Sequence, residues 1–136
     1  MAEVQRQREF PGFKKKSFPI SFNGGEIWVE HLDGLYDAEE LVIEKLREDY
    51  RLFCRPSMTS CICLNLDETT VTDRVLSEIC DRLINATKHF TRICFVGTDK
   101  KTKKALKTHL CNKGFAFQFI DDFEKAKEWL LSEAVC

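Results

Sequence analysis

The sequence lacks the apolar segments that mark membrane-spanning and secreted chains. No apolar run approaches the roughly 20 residues that a helix needs to cross a bilayer. The polar start, MAEVQRQREF, has none of the apolar core of a signal peptide. We therefore expect a cytoplasmic protein with no membrane insertion.

The chain also lacks a strong net charge. Its formal net charge is −1 at pH 7, which argues against nucleic acid as a partner. The distribution is uneven, since residues 26–49 hold nine acids and two bases, whereas residues 88–113 hold eight bases and one acid. Such opposed patches would favour a charged partner or head-to-tail self-association, as in a homodimer, but two solvated helix faces are the simpler explanation.

Motifs for catalysis, cofactors and metals are missing. The chain contains neither a Gly-x-Ser-x-Gly elbow nor a Gly-x-Gly-x-x-Gly turn. Its three histidines are isolated, and Cys61-x-Cys63 has no second ligand pair at the spacing of a zinc site. We therefore expect no catalytic residue, no metal and no cofactor.

Seven cysteines form an odd set that falls mostly inside apolar patterns. Without a secretory signal, this pattern predicts free thiols, several of them used as small core residues. Cys54, beside Arg55 at the end of a predicted helix, is the most exposed candidate for a reactive thiol.

Strand-like and helix-like segments alternate in the order ββαβαβαβα. This order predicts one α/β domain over residues 18–136, with a mixed, mostly parallel sheet and helices packed on it. Asn23-Gly24 between alternating apolar residues predicts an N-terminal hairpin. Residues 1–17 hold five bases, with Pro11 and Gly12, and are predicted to form a flexible basic arm.

The stretch from residue 59 to residue 84 is predicted to form the central strand–turn–helix unit of the domain. Ile62 and Leu64 alternate with Cys61 and Cys63, so both faces of the segment are apolar, as in a central parallel strand. A helix with an apolar stripe follows, and the turn between them lies where open α/β sheets bind ligands and partners. The residues of this turn that we predict to dock a partner or to accept a phosphate are Asp67, Thr69, Thr70, Thr72 and Asp73.

Helix capping is the simpler explanation for some of these polar residues. Thr70 with Asp73 three residues on approximates a capping box, which predicts Thr70 as the N-cap. By the same pattern, Asp37 is predicted to cap the preceding helix, with Glu40 at the box position.

A second strand-to-helix turn spans residues 97–102. Backbone amides at a helix start, together with nearby lysines, can hold an anion. Thr98, Lys100 and Lys101 are therefore the candidate anion-binding residues, against the alternative of a solvated face.

Two short motifs, together with the order of elements, give a resemblance to a known family. Leu64-Asn65-Leu66 closes a central strand before a short turn and a helix that begins near Asp73, and residues 119–130 read FIDDFEKAKEWL. Over residues 18–133 the chain resembles the STAS domain, the fold of SpoIIAA-like anti-sigma-factor antagonists.

The resemblance implies a non-enzymatic regulatory module that docks a protein partner, such as a regulatory kinase. In that family the kinase phosphorylates a serine at the start of the second helix. The matching position here is Asp73 or Arg74, so the usual acceptor is absent, and Thr70 and Thr72 are the nearest hydroxyls.

Two alternatives remain open. One is a small-molecule or lipid carrier with a groove between the hairpin and the last helix, lined by Phe22, Trp28 and Trp129. The other is a small phosphotransfer or thiol enzyme on a flavodoxin-like sheet, which would use a strand-end cysteine or the turn at Gly97.

Overall fold

A computed structural model describes residues 16–22, 25–53, 61–86 and 90–132, and within these ranges the chain forms an α/β sheet structure. The strands are β1 (Phe18–Phe22), β2 (Gly25–His31), β3 (Cys61–Asn65), β4 (Arg92–Val96) and β5 (Ala116–Phe119). The helices are α1 (Glu39–Phe53), α2 (Asp73–Asn85), α3 (Lys100–Leu110) and α4 (Phe123–Leu130). The predicted class and the order ββαβαβαβα are confirmed. The predicted arm up to residue 15 and Cys54 lie outside the described residues.

The five strands form one mixed sheet in the order β1-β2-β3-β4-β5. β1 runs antiparallel to β2, with Phe22 opposite Gly25, and the other three pairings are parallel. The predicted antiparallel edge is therefore present, and Asn23 and Gly24, which connect β1 to β2, lie outside the described residues.

Three helices cover one face of the sheet, which we call the three-helix face. Each parallel crossover moves one strand in the same direction, and right-handed crossovers then place α1, α2 and α3 on the same side. The core beneath them combines strand residues such as Trp28, Ile62 and Phe95 with helix residues such as Leu46 and Ile79.

The opposite face carries α4, and we call it the α4 face. Ile27, Val29 and the thiols of Cys61, Cys63 and Cys94 form its core with Ala126 and Leu130 of α4. The predicted alternation of the two apolar sets along β3 is confirmed. Arg92 holds the end of α4, because its Nη1 donates to the carbonyl oxygens of Trp129 and Leu130 at 2.8 and 2.9 Å. A cation at these carbonyls also complements the helix dipole.

A buried polar cluster lies beneath α1, and we call it the interior cluster: Ser17, Glu30, Lys45 and Asp49. Lys45 Nζ donates to Asp49 Oδ2 at 3.0 Å and to Ser17 Oγ at 2.9 Å, and Ser17 Oγ donates to Asp49 at 2.8 Å. Ser17, the last residue of the predicted arm, also accepts the backbone N–H of His31 at 2.9 Å. Hydrogen bonds thus satisfy polar groups that α1 and β2 remove from water.

Glu30 is the most deeply buried member of this cluster, with an exposed fraction of 0%. Its Oε1 accepts the Trp28 Nε1–H at 2.8 Å. Burial, followed by the charge of Asp49 and a hydrogen bond to it, raises the pKa of Glu30 well above the ordinary value. Its Oε2 has no hydrogen-bond partner among the described residues.

Candidate functional site

Both predicted turns start at one edge of the sheet. Asn65, the last residue of β3, pairs with Val96, the last residue of β4. Because the two strands are parallel, the turn that leads to α2 and the turn that leads to α3 lie side by side at the carboxyl edge of the sheet. Residues 67–73 and 97–102 are therefore brought together.

The turn after β3 is tied to the segment that follows β2. The Thr69 hydroxyl accepts the Leu35 N–H at 3.1 Å and donates to the Leu32 carbonyl at 2.5 Å. Backbone bonds join Tyr36 N to Glu68 O at 2.9 Å and Thr70 N to Tyr36 O at 2.8 Å. Thr69 is half-buried and both hydrogen-bonding capacities of its hydroxyl are used, so its side chain holds the two segments together.

The prediction that Thr70 caps α2 is wrong. The helix begins at Asp73, and Thr72 is the N-cap, because its side chain accepts the Val75 N–H at 3.2 Å. The Thr70 hydroxyl instead donates to Asp37 Oδ1 at 2.6 Å. An N-cap hydroxyl must lie within reach of the second or third helical N–H, and in this helix Thr72 is the residue that meets that condition.

The prediction that Asp37 caps α1 is wrong for a related reason. Helix α1 begins at Glu39, and its first backbone bond runs from Val42 N to the Ala38 carbonyl at 3.1 Å, so the cap position is Ala38. Asp37 contributes its backbone carbonyl to Glu39 N at 2.9 Å, and its carboxylate turns to Thr70.

The turn after β4 packs so closely against the turn after β3 that it requires a glycine. Gly97 has a φ of +77°, and a Cβ at this position would lie 2.7 Å from the backbone of Asp67. Asp99 is the N-cap of α3, since its Oδ1 accepts the Thr102 N–H at 2.8 Å. This bond lowers the pKa of Asp99, which therefore stays ionised near neutral pH.

A cleft of about 580 Å³ lies between the two turns and between the N-terminal ends of α2 and α3. We call it the edge cleft. Five of the predicted residues line it: Thr69, Thr70, Asp73, Thr98 and Lys101. Asp67, Thr72 and Lys100 belong to the same turns but are not among its lining residues.

Thr98 has an unusual position in this cleft. Its exposed fraction is 8%, and its hydroxyl has no hydrogen-bond partner among the described residues. A buried hydroxyl without a partner is uncommon in proteins and calls for an explanation. The sequence indicates Thr98 as a candidate anion-binding residue at a helix start, but nothing in the local pattern indicates that its hydroxyl is left unpaired.

Tyr36 is a cleft residue that the sequence did not indicate. It is 57% exposed and has a φ of +50°, in the left-handed region that residues with a Cβ rarely adopt. Its backbone is held there by the bonds to Glu68 and Thr70, which come from a distant part of the chain. No local signal could have predicted this placement.

A second cleft of about 370 Å³ adjoins the first and shares Asp73 and Leu76 with it. It runs between α2 and α3 and reaches Cys80, Ile84 and His109. The two clefts therefore form a continuous surface from the turn after β3 along α2. We call this surface the α2–α3 groove.

Negative charge dominates the edge cleft. Four carboxylates and one lysine line it, namely Asp37, Glu68, Asp73, Asp99 and Lys101. In addition, the Gly97 N–H donates to Asp121 Oδ1 at 3.0 Å, so one amide that an anion would need is occupied. The anion site at Thr98, Lys100 and Lys101 stays a prediction, and these charges argue against it.

The described part of the chain contains no group of three histidine, cysteine or acidic side chains that could hold a metal ion. The thiols of Cys61, Cys63, Cys80 and Cys94 are buried, and the thiol of Cys111 is exposed. Burial raises the pKa of Cys63 to about 12 and that of Cys94 to about 11. At these two thiols the thiolate that a nucleophile needs is therefore strongly disfavoured.

The groove predicted for a carrier is not formed by the two tryptophans. Trp28 is buried in the three-helix face, whereas Trp129 packs against the α4 face, with Arg92 5.7 Å from the centre of its ring. Since the sheet separates them, they cannot line one groove. The side chain of Phe22 lies outside the described residues.

Comparisons with protein-family models, curated proteins and solved structures give no match for this chain. Across the described ranges, none of the helices has the length and apolar character required to traverse a membrane.

Proposed function

We propose that this chain is a cytoplasmic, non-enzymatic interaction module that docks a protein partner through the turn at residues 67–73 and helix α2. The continuity of the α2–α3 groove supports the proposal, because it joins that turn to the exposed side of α2. The groove offers half-buried apolar side chains, Leu76 and Ile84, beside exposed polar ones such as Ser77 and Asp81. An apolar centre with a polar rim is the usual anatomy of a protein interface.

The resemblance to the STAS domain points to the same surface. In that family the phosphorylated serine at the start of the second helix lies at the surface that docks the partner. The chain here departs from the family at the phosphorylated serine, so the partner and its control would differ.

Of the three threonines in this turn, Thr70 is the best candidate for a phospho-acceptor. Thr69 and Thr72 are half-buried, and their hydroxyls hydrogen-bond to the backbone, whereas Thr70 is exposed. We expect phosphopeptide mapping of the protein from its source cells to find any phosphate of this turn on Thr70. A phosphate on Thr69 or Thr72 would contradict this prediction. The Thr70→Val variant is the control, because it lacks the predicted acceptor hydroxyl.

Site-specific photo-crosslinking in source cells tests the docking surface. A photoreactive residue replaces Ser77, which is exposed in the α2–α3 groove, and in a second chain it replaces Glu128, which is exposed on α4. We expect one protein to be linked at position 77 and not at position 128, as identified by mass spectrometry. Linkage of the same protein at both positions, or at position 128 alone, would overturn the proposed surface.

A further inference from the structure

The two outer strands of the sheet differ in how they are protected against pairing with another strand. β1 carries Pro19, which is exposed and has no backbone N–H to donate. β5 has the sequence AFQF, with neither a proline nor a charged residue. Since prolines and charges are the usual protection of an edge strand, β5 is the outer strand that lacks it.

The backbone of β5 presents hydrogen-bonding groups on the side away from β4. The N–H groups of Ala116 and Ile120 donate to carbonyls of the β4 segment at 2.9 and 3.1 Å. Because the direction of hydrogen bonding alternates along a strand, the backbone groups of Phe117 and Phe119 point the other way. The Phe119 N–H agrees with this direction, since it donates to Gln118 Oε1 at 3.4 Å. None of the described strands lies on that outer side.

The aromatic rings of β5 are already engaged within the fold. Phe117 and Phe119 are half-buried, with ring centres 5.9 Å apart, and the Phe119 ring stacks on the buried ring of Phe95 at 5.4 Å. A surface that binds single-stranded nucleic acid needs aromatic rings whose faces are available to the bases. The unpaired backbone is therefore the feature that a ligand of this strand would use.

A row of lysines on α3 flanks the outer side of β5. Lys100, Lys103 and Lys107 have the i, i+3, i+7 spacing that places side chains on one side of a helix. This side faces β5, because Lys107 Nζ lies 5.9 Å from the centre of the Phe119 ring. The opposite side of α3, with Lys101, lines the edge cleft. No acid of the described residues forms an ion pair with any lysine of the row.

We propose that β5 takes an extended, acidic segment of a partner protein as a sixth strand of the sheet. Backbone hydrogen bonds to Phe117 hold the segment, and every second side chain of the segment lies on the three-helix face. Acidic side chains at those positions meet Lys103 and Lys107. This surface lies on the side of α3 that faces away from the α2–α3 groove, so the proposal does not depend on the docking function, and either can fail alone.

A second copy of this chain fits the edge of β5 less well than an acidic segment does. Antiparallel pairing of two β5 strands about a two-fold axis would place both α3 helices on the same face of the joined sheet. Their lysine rows would then lie opposite each other, and like charges in such a position oppose association.

Nuclear magnetic resonance of the isotope-labelled full chain tests the proposal with defined peptides. The probe is a blocked hexapeptide that alternates glutamate and valine, and its charge-reversed counterpart alternates lysine and valine. We expect the acidic peptide to shift the amide signals of Phe117 and Phe119 saturably and to leave that of Ile20 on β1 unchanged. With the peptide at about ten times its Kd, hydrogen exchange of the Phe117 amide should slow by about tenfold, because the paired N–H no longer exchanges.

Several results would overturn the proposal. They are absence of binding, equal binding of the lysine peptide, and shifts without slower exchange at Phe117. Tighter binding of single-stranded oligothymidylate at the same signals would show that the lysine row serves a nucleic acid instead. Slow exchange of the Phe117 amide in the free chain would show that the edge is already paired.

Two double variants of equal charge locate the binding. Lys103→Gln/Lys107→Gln should weaken the acidic peptide by about fivefold, from the loss of two partly exposed ion pairs. Lys104→Gln/Lys125→Gln removes the same charge from two exposed positions outside the row, one on α3 and one on α4. It should change the affinity by less than about twofold, since salt screens distant charges. An equal loss of affinity in both variants would show a general effect of charge and contradict the assignment.

Discussion

Two polar regions lie on the three-helix face of the same sheet, and they differ in how far their polar groups are paired with one another. In the interior cluster beneath α1, Lys45, Asp49 and Ser17 hydrogen-bond to one another, and Glu30 Oε1 accepts from Trp28. The edge cleft is open, and its exposed acids lie beside one buried hydroxyl, that of Thr98. Each region holds one buried atom without a partner among the described residues, Glu30 Oε2 in the first and Thr98 Oγ1 in the second, so the regions differ in the network that surrounds that atom.

The largest effect is expected in the interior cluster, from Lys45→Met. The side chains of Lys45 and Asp49 are only 8% and 14% exposed, and removal of the cation leaves Asp49 without its main partner. We expect the free energy of unfolding to fall by about 3 kcal/mol, measured by denaturant unfolding at neutral pH.

The double variant Lys45→Met/Asp49→Leu is the control. It replaces both charges with apolar groups and should recover most of that loss. If the double variant is as unstable as the single one, the loss comes from packing rather than from an unpaired charge.

The second prediction concerns the dependence of stability on pH. The pKa of Glu30 is higher in the folded chain than in the unfolded chain, chiefly through burial. Folding therefore takes up a proton, and the stabilisation from this group is complete below the ordinary carboxyl pKa and is lost as the pH rises through the folded pKa.

Glu30→Gln keeps an acceptor for Trp28 and gains an N–H donor for Asp49, but it cannot ionise. We expect its free energy of unfolding to fall less than that of the unchanged chain as the pH rises above the ordinary carboxyl pKa. If the free energies of unfolding of the two chains change in parallel with pH, Glu30 does not titrate in this range.

The third prediction compares two threonines of the turn that leads to α2. Thr69→Val removes a half-buried hydroxyl that bonds Leu32 and Leu35, and it leaves those backbone groups unpaired. We expect a loss of about 2 kcal/mol in the free energy of unfolding. Thr70→Val, which removes an exposed hydroxyl from the same turn, should lose much less. Similar losses of unfolding free energy in the two variants would mean that burial does not determine how much each threonine hydroxyl contributes to stability.

The smallest expected change in the free energy of unfolding is an increase, and it concerns the edge cleft. Thr98→Val removes a buried hydroxyl that has no partner among the described residues, so we expect the free energy of unfolding to rise by about 1 kcal/mol. Thermal and denaturant unfolding would measure it. A loss of stability would show that the Thr98 hydroxyl is hydrogen-bonded in solution.

The sequence predicted the elements well and their capping less well. Alternation along β3 placed Cys61 and Cys63 on one face and Ile62 and Leu64 on the other, as found. Thr70, however, has the spacing of a capping residue and was assigned that role wrongly. Its hydroxyl bonds Asp37, which is 33 positions away in the chain, and no local pattern carries that information.

The candidate site was predicted in part. Both turns were identified because a polar stretch between a strand and a helix lies at the functional edge of a parallel sheet. Which residues face the shared cleft could not be predicted. Thr72 turns inward to cap α2, and Tyr36 enters from a third segment.

By itself the sequence determined the elements, the class of sheet and the two sets of core residues, because periods of 2 and 3.6 residues fix side-chain direction locally. Only the tertiary structure decided which hydroxyls are satisfied and where the cleft lies. Those outcomes depend on contacts between the segments around residues 36, 69 and 98, which meet only when β2, β3 and β4 pair in register. The charge of the cleft follows from that meeting, since its acids come from segments far apart along the chain.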